Sequence, residues 1–257
     1  MGASVAAEGK RRLCAIVAYD GTDFWGFQIQ AEGRTVQGTL EAALATITQE
    51  EIRVVAAGRT DSGVHALGQV VGFQTRWRHA IDELHRAWNA LLPGDVAVRS
   101  LAEVGPGFHP RFDARSRYYR YTVWNRPVRN PLLRRTALWE PRPLDLTAMR
   151  EAARSLVGEH DFATFGSPPK GTNTVRRVLR AEWHRDGECV YLDIEANAFL
   201  YRMARSIVGT LTQVGCGGLR VAQFEAAFRA AERSLAGPTA PAHGLCLMAV
   251  HYEGVPG

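Results

Sequence analysis

Apolar positions along this chain switch between two spacings, and the switches cut it into short segments. Residues 12–20 alternate as a strand does. From Thr35 the spacing lengthens: Val36, Leu40, Ala43, Leu44 and Ile47 share one helical face, with Thr35 placed as N-cap. Strands are expected over 52–57 and 67–75. A helix is expected over 81–92, with Ile81, Leu84, His85, Trp88, Leu91 and Leu92 on its buried face. Pro93-Gly94 ends it, and a strand follows over 95–104. Strand, helix, strand, strand, helix, strand is the split β-α-β order of ferredoxin-like folds.

The second half repeats that order without visible sequence repetition. Residues 117–124 alternate strongly. After a Pro- and Arg-containing connection over 125–143, Asp145 is placed to cap a helix with Gly158 just past its end and with Leu146, Met149, Ala153, Leu156 and Val157 buried. A flexible loop over 166–173 precedes strands at 175–184 and 189–195, joined as a hairpin by Arg185-Asp186-Gly187-Glu188. Helices are expected over 199–214 and 221–232, a rigid non-helical loop over 236–244, and a last strand over 245–252. The fold class is therefore α+β: two β-α-β-β-α-β halves sharing a central, mostly antiparallel sheet, with a groove across the seam. The expected divisions are a disordered tail over 1–11, a first domain over 12–113 and a second over 114–257.

Composition changes this picture in one respect. The hydrophobic fraction of 46% and the charged fraction of 22% are those of a soluble globular protein. The net charge of +5, however, comes from 31 basic residues of which only Lys10 and Lys170 are lysines. Biased base composition would enrich arginine everywhere; contact with phosphates and stacked bases would also favour its flat guanidinium. Cys14, Cys189, Cys216 and Cys246 form no Cys-x-x-Cys pair and are read as small buried thiols. No apolar run reaches transmembrane length, and residues 1–12 lack a signal peptide's apolar stretch, so a cytoplasmic, reducing location is expected.

The chemistry concentrates in Ala57-Gly58-Arg59-Thr60-Asp61-Ser62-Gly63-Val64-His65-Ala66, a polar, glycine-bracketed stretch between two strand-like runs. Such a loop can present Asp61 and Arg59 at a sheet end; Thr-Asp-Ser-Gly is equally good turn chemistry, in which the aspartate only caps its own backbone. Arg117, Tyr119 and Tyr121 share one strand face, either as an ordinary half-buried face or as a base-stacking platform flanked by cations. Residues 197–209 open a helix that carries Arg202 and Arg205, with Arg205 near its packed flank. A buried arginine calls for a carboxylate, for which Asp61 is a candidate. His65, His109, His160 and His243 stand apart, without the clustering a metal site needs.

Taken together, several segments resemble the tRNA pseudouridine synthase A family. They are residues 19–28 (Tyr-Asp-Gly-Thr-Asp-Phe-Trp-Gly-Phe-Gln), 34–38, 58–66, 108–114, 119–121, 160–162, 197–200, 205–211 and 236–241, in the expected order over nearly the whole chain after the tail. Ser62, Pro110, Ala196 and Ala204 depart from the family pattern, and none of them removes a reactive group. The resemblance implies isomerisation of uridine to pseudouridine at positions 38, 39 and 40 of the tRNA anticodon stem-loop. It also implies a homodimer, with no cofactor and no metal. It makes Asp61 the catalytic nucleophile, Tyr119 the active-site tyrosine, and Arg59 and Arg205 substrate-site arginines, Arg205 pairing with the aspartate. A tRNA-binding or RNA-chaperone protein without catalysis, or a synthase with another RNA target, are the alternatives.

Overall fold

A computed structural model of the chain describes residues 9–253. The first eight residues of the expected tail lie outside that range, and the first strand already begins at Arg11. The chain divides into two compact units: residues up to Ser62 with Ala66–Asp113, and Gly63–His65 with the chain from Ala114 onward. Both are α+β, with strands that pair almost entirely antiparallel.

The first unit contains β1 (Arg11–Tyr19), α1 (Val36–Thr48), β2 (Val55–Ala56), β3 (His65–Thr75), α2 (Ile81–Leu91) and β4 (Val96–Glu103), and its strands lie in the order β4-β1-β3-β2. Alternation along β1 buries Leu13, Ala15 and Val17, and Leu13 and Ala15 sit opposite Phe73 and Val71 of β3. Leu40 and Leu44 of α1 and Leu84 and Trp88 of α2 complete the core, where Trp88 meets Phe73 edge-to-face at 5.3 Å. Thr35 caps α1 through its side-chain oxygen, which accepts from Gly38 N–H at 3.2 Å.

Two expectations fail in this unit. Leu91, expected in the core, is half exposed; it is the last residue of α2, whose buried side chains are Leu84 and Trp88. The strand expected over 52–57 is reduced to Val55–Ala56. Its earlier backbone groups are taken by α1 side chains: Glu41 accepts from Val54 N–H at 2.9 Å, and Gln37 Nε2 donates to Val54 O at 3.1 Å.

The second unit contains β5 (Ala114–Trp124), β6 (Leu138–Trp139), α3 (Leu146–Arg154), β7 (Gly158–Asp161), β8 (Val175–Asp186), β9 (Cys189–Ala196), α4 (Met203–Gly215), α5 (Val221–Ala230) and β10 (Leu245–Tyr252). The strand order is β10-β5-β9-β8-β7, and β6 adds a short parallel pair to β5. Without β6 and β7 this repeats the first unit's order, as the duplicated pattern implies. The helices cover one sheet face, to which Tyr119, Tyr121 and Val123 of β5 and Val190, Leu192 and Ile194 of β9 contribute buried side chains. On the other face Asp193 is buried beneath Arg120 and Arg180, at 2.7 and 2.6 Å, and accepts from Tyr118 Oη at 2.8 Å.

Local differences again have physical causes. The helix expected to run up to Gly158 stops at Arg154 with Ser155 as its C-cap; Gly158, at φ 115, instead starts β7, and Val157 before it is exposed. The helix expected from residue 199 begins at Met203, because Arg202 adopts left-handed backbone (φ 61) and Tyr201 N–H turns away to Ser167 O at 2.9 Å. The segment 236–244 is not wholly non-helical, since Ala242–Gly244 forms a single 3-10 turn. The four cysteines are half-buried rather than core residues; Cys14, for example, lies on the outward-alternating face of β1.

Candidate active site

The loop between β2 and β3 is fixed through its backbone on both sides of Asp61. Ala57 N–H donates to Val70 O at 2.8 Å, and Gln69 Nε2 donates to Gly58 O at 2.9 Å. Thr60 O accepts from Phe27 N–H at 3.1 Å, and its hydroxyl lies 2.8 Å from Tyr19 Oη. Ser62 Oγ donates to Phe24 O at 3.0 Å. Asp61 thus sits between two anchored residues, half-buried, while Arg59 is exposed.

The aromatic segment over 21–28 makes this possible. Gly26 takes φ 93, and a Cβ there would come within 2.9 Å of Thr60 O, so only glycine lets this segment lie so close against the Asp61 loop. Its own position is set by Arg34, whose guanidinium stacks 4.1 Å above Phe24 and pairs with Asp95 at 2.6 Å. Gly63 then turns the chain at φ 77, a conformation costly for any residue with a side chain.

In the second unit, Tyr119 lies on β5, buried, with Phe199 packed edge-to-face at 5.0 Å. Two residues on, Tyr121 is fully buried and donates to Pro241 O at 2.9 Å. Burial pushes the Tyr121 hydroxyl's pKa up against the opposing pull of Arg205, so it remains a neutral phenol. Arg205 stands in the first turn of α4. Its Nε donates to Ala240 O at 2.8 Å and its carbonyl accepts from Ala240 N–H at 3.1 Å, tying the arginine to the 236–244 segment. That segment approaches α4 so closely that a Cβ on Gly209 would fall 1.7 Å from Pro238 O.

His65 is buried, and its Nε2 faces Arg135 O at 2.8 Å and His243 O at 3.0 Å, so this ring is an N–H donor to two carbonyls. Burial, with the positive charge of Arg205 adding to it, lowers the pKa of His243 and keeps its ring neutral. Among the described residues no group of three or more His, Cys, Asp or Glu is placed to hold a metal ion, and no helix is long and apolar enough to cross a membrane.

Asp61 and Arg59 therefore belong to one unit, and Tyr119 and Arg205 to the other. Sequence reasoning passed over Gln69 and Tyr19, whose side chains reach the Asp61 loop. The available signal was an amide, Gln69, inside the apolar run that forms β3.

The family model described as tRNA pseudouridine synthase matches residues 15–113 and 152–253. The chain belongs to the tRNA pseudouridine synthase family. Asp61 and Arg59 fall in the first matched stretch and Arg205 in the second, while Tyr119 lies between them. A protein named tRNA pseudouridine synthase A from Chloroflexus aurantiacus is 47% identical over 248 residues, 94% of this chain and 89% of that one. Its namesake from Moorella thermoacetica is 45% identical, covering 92% of this chain and 97% of that one. Another, from Geobacillus kaustophilus, is 43% identical over 95% of both. Likeness to this synthase family thus runs through both units.

Proposed function

We propose that the protein isomerises uridine to pseudouridine in the anticodon stem-loop of tRNA, at positions 38, 39 and 40, with Asp61 as the nucleophilic carboxylate. The observation that carries this reading is the double anchoring of the Asp61 loop, at Thr60 and Ser62, in a chain of this family. A catalytic group gains from being held in place before the substrate arrives.

The reaction breaks the N-glycosidic bond, turns the uracil and rejoins it through C5. Nothing is oxidised and no external group is consumed, so the chain's own side chains suffice. The target uridine must first leave its stack, at a cost of a few kcal/mol. Asp61 then acts on the electron-poor centre as an ionised carboxylate. Tyr119 offers its ring to the loosened uracil and a hydroxyl to carry the C5 proton. Arg59, exposed beside the carboxylate in sequence, engages RNA phosphate, and Arg205 supplies positive charge to the reacting uridine. We further read the protein as a cytoplasmic homodimer that needs no cofactor or metal.

The test is tritium release from tRNA labelled at uridine C5. Asp61→Asn is expected to lower turnover at least about a thousandfold, as loss of a nucleophile does, while tRNA affinity and the melting temperature stay close to those of the parent. Arg205→Ala is expected to lose most activity with the fold retained. Turnover by the Asp61→Asn protein near the parent rate would remove Asp61 from the chemistry; absence of turnover by the parent protein would leave an RNA-binding protein without catalysis.

A further inference from the structure

The connection between β5 and α3 is long, and the reading above assigns it no task. It is nonetheless built. Asn130 accepts from Leu132 N–H at 3.0 Å and starts a 3-10 turn over Pro131–Leu133, and Asn125 Nδ2 donates to the carbonyls of Glu140 and Arg142 at 2.9 and 2.7 Å. The same connection borders a cleft of about 490 Å³ whose lining includes Trp124, Trp139, Arg129, Arg134, Asn130 and His243. That volume falls within the range of about 300–1,000 Å³ usual for small-ligand pockets.

Three features of the cleft point to one kind of ligand. Both indole N–H groups are already spent on the connection's own carbonyls, Trp124 on Val128 O at 2.8 Å and Trp139 on Arg126 O at 2.9 Å. What the tryptophans offer a ligand is therefore ring surface, and Trp139 is 43% exposed. The rim arginines Arg129 and Arg134 are exposed and make no ion pair among the described residues, and the lining contains no carboxylate. Finally, His243 in the lining is the residue whose carbonyl faces the ring of His65, a histidine of the Gly58–Ala66 motif. Flat aromatic surface beside guanidinium groups that meet no carboxylate is the chemistry that binds an unstacked base with its phosphate.

We propose that this cleft is an RNA subsite, holding a nucleotide of the substrate tRNA other than the reacting uridine: its base against Trp139 and Trp124, its flanking phosphates against Arg129 and Arg134. The subsite rests on the tRNA reading above. It gives the connection the task of gripping the loop at a second point, so that a uridine can be presented without being read by sequence.

The experiment measures binding of an anticodon stem-loop RNA to the full-length protein across a salt series. Trp139→Ala is expected to weaken binding about tenfold, the scale of one lost base stack, and W139F to recover most of the loss. R129A/R134A is expected to flatten the slope of log Kd against log salt by about 1.5, as two released phosphate contacts require. A purely structural role for the connection would lower the melting temperature of these variants and leave the salt slope alone. Unchanged affinity in W139A together with an unchanged slope in R129A/R134A, both proteins folded, overturns the proposal. Tritium release by the parent protein is scored separately, so failure of the cleft and failure of the synthase reading give different results.

Discussion

The two units share a strand order but treat one connection in opposite ways. In the second unit, the second and third strands of the repeat are β8 and β9, which pair along most of their length and join through Gly187 and Glu188 alone. In the first unit the corresponding pair is β2 and β3, joined over two residues only, and the connection runs from 57 to 64. One hairpin is complete; the other has been cut back so that its loop can carry Asp61. The cutback has a visible cause in Glu41 and Gln37, which satisfy the backbone of Val54 in place of a strand partner. A long loop then needs tethers that a tight turn does not, and the third strands show the trade. Buried Asp193 on β9 binds strands to each other through Arg120 and Arg180, whereas buried Gln69 on β3 reaches to Gly58 of the loop. The same topological slot serves rigidity in one copy and presentation of a side chain in the other.

The comparison breaks if Asp193 is not a strand staple, and the largest effect is expected there. Asp193→Asn leaves two arginines and Tyr118 facing a neutral amide, which should cost on the order of 3 kcal/mol in denaturant unfolding. Burial by itself raises the carboxyl's pKa, but the hydrogen bonds from Arg120 and Tyr118 and the two positive charges outweigh it and hold the pKa below the usual range. A carboxylate depressed in the folded state contributes stability above its unfolded pKa, about 3.9, and loses it as pH falls through the lower folded value. Stability of the parent protein should therefore drop steeply from about pH 4 downward, and that of the Asn variant less so. Parallel acid limbs would show that Asp193 does not contribute in this way.

Gln69→Ala addresses the other third strand. It removes the donor to Gly58 O, and displacement of the loop by about 1 Å is enough to cost roughly a hundredfold in turnover. The loss should appear in the single-turnover rate of isomerisation, with tRNA affinity kept; full activity would mean that the anchors at Thr60 and Ser62 hold the loop by themselves. Glu41→Ala should have a smaller effect. It strands Val54 N–H, worth about 1–2 kcal/mol, and amide exchange should accelerate over 52–57 before it does anywhere in β8. Uniform exchange would argue that the short strand is not held by α1.

Much of this was legible in the sequence because it rests on period and on local rules. The alternation of β1 and β5, the N-caps Thr35 and Asp145, and the final strand over Leu245–Tyr252 all follow from side chains a few residues apart. The motif around Asp61 stood out as chemistry stranded between two apolar runs. What escaped depended on partners distant in sequence. Val54 looks like strand until Glu41 takes its N–H, and Arg202 looks helical until Ser167 draws Tyr201 aside. Gln69 gave a weak signal, an amide in an apolar strand, but nothing local said that its target was Gly58.

The smallest effect gives the sharpest form of the comparison, because one substitution can be made in both hairpin connections. Gly187 turns the tight hairpin at φ 56 with open space around it, and Gly63 turns the long loop at φ 77 with the Ala242 methyl carbon 3.3 Å from where a Cβ would sit. Either glycine changed to alanine forces left-handed backbone on a residue with a side chain, costing about 1 kcal/mol. Thermal unfolding should therefore register the two variants alike, apart from a small extra penalty at Gly63 for crowding Ala242. Pseudouridine formation should not. Gly187→Ala changes a turn whose only duty is to join β8 to β9, so its activity should follow its stability, whereas Gly63→Ala moves the backbone two residues from Asp61 and should lose turnover out of proportion to its melting temperature. Equal activity in the two proteins would mean that the long loop tolerates displacement as readily as the tight turn does, and that its tethers serve the fold rather than the carboxylate.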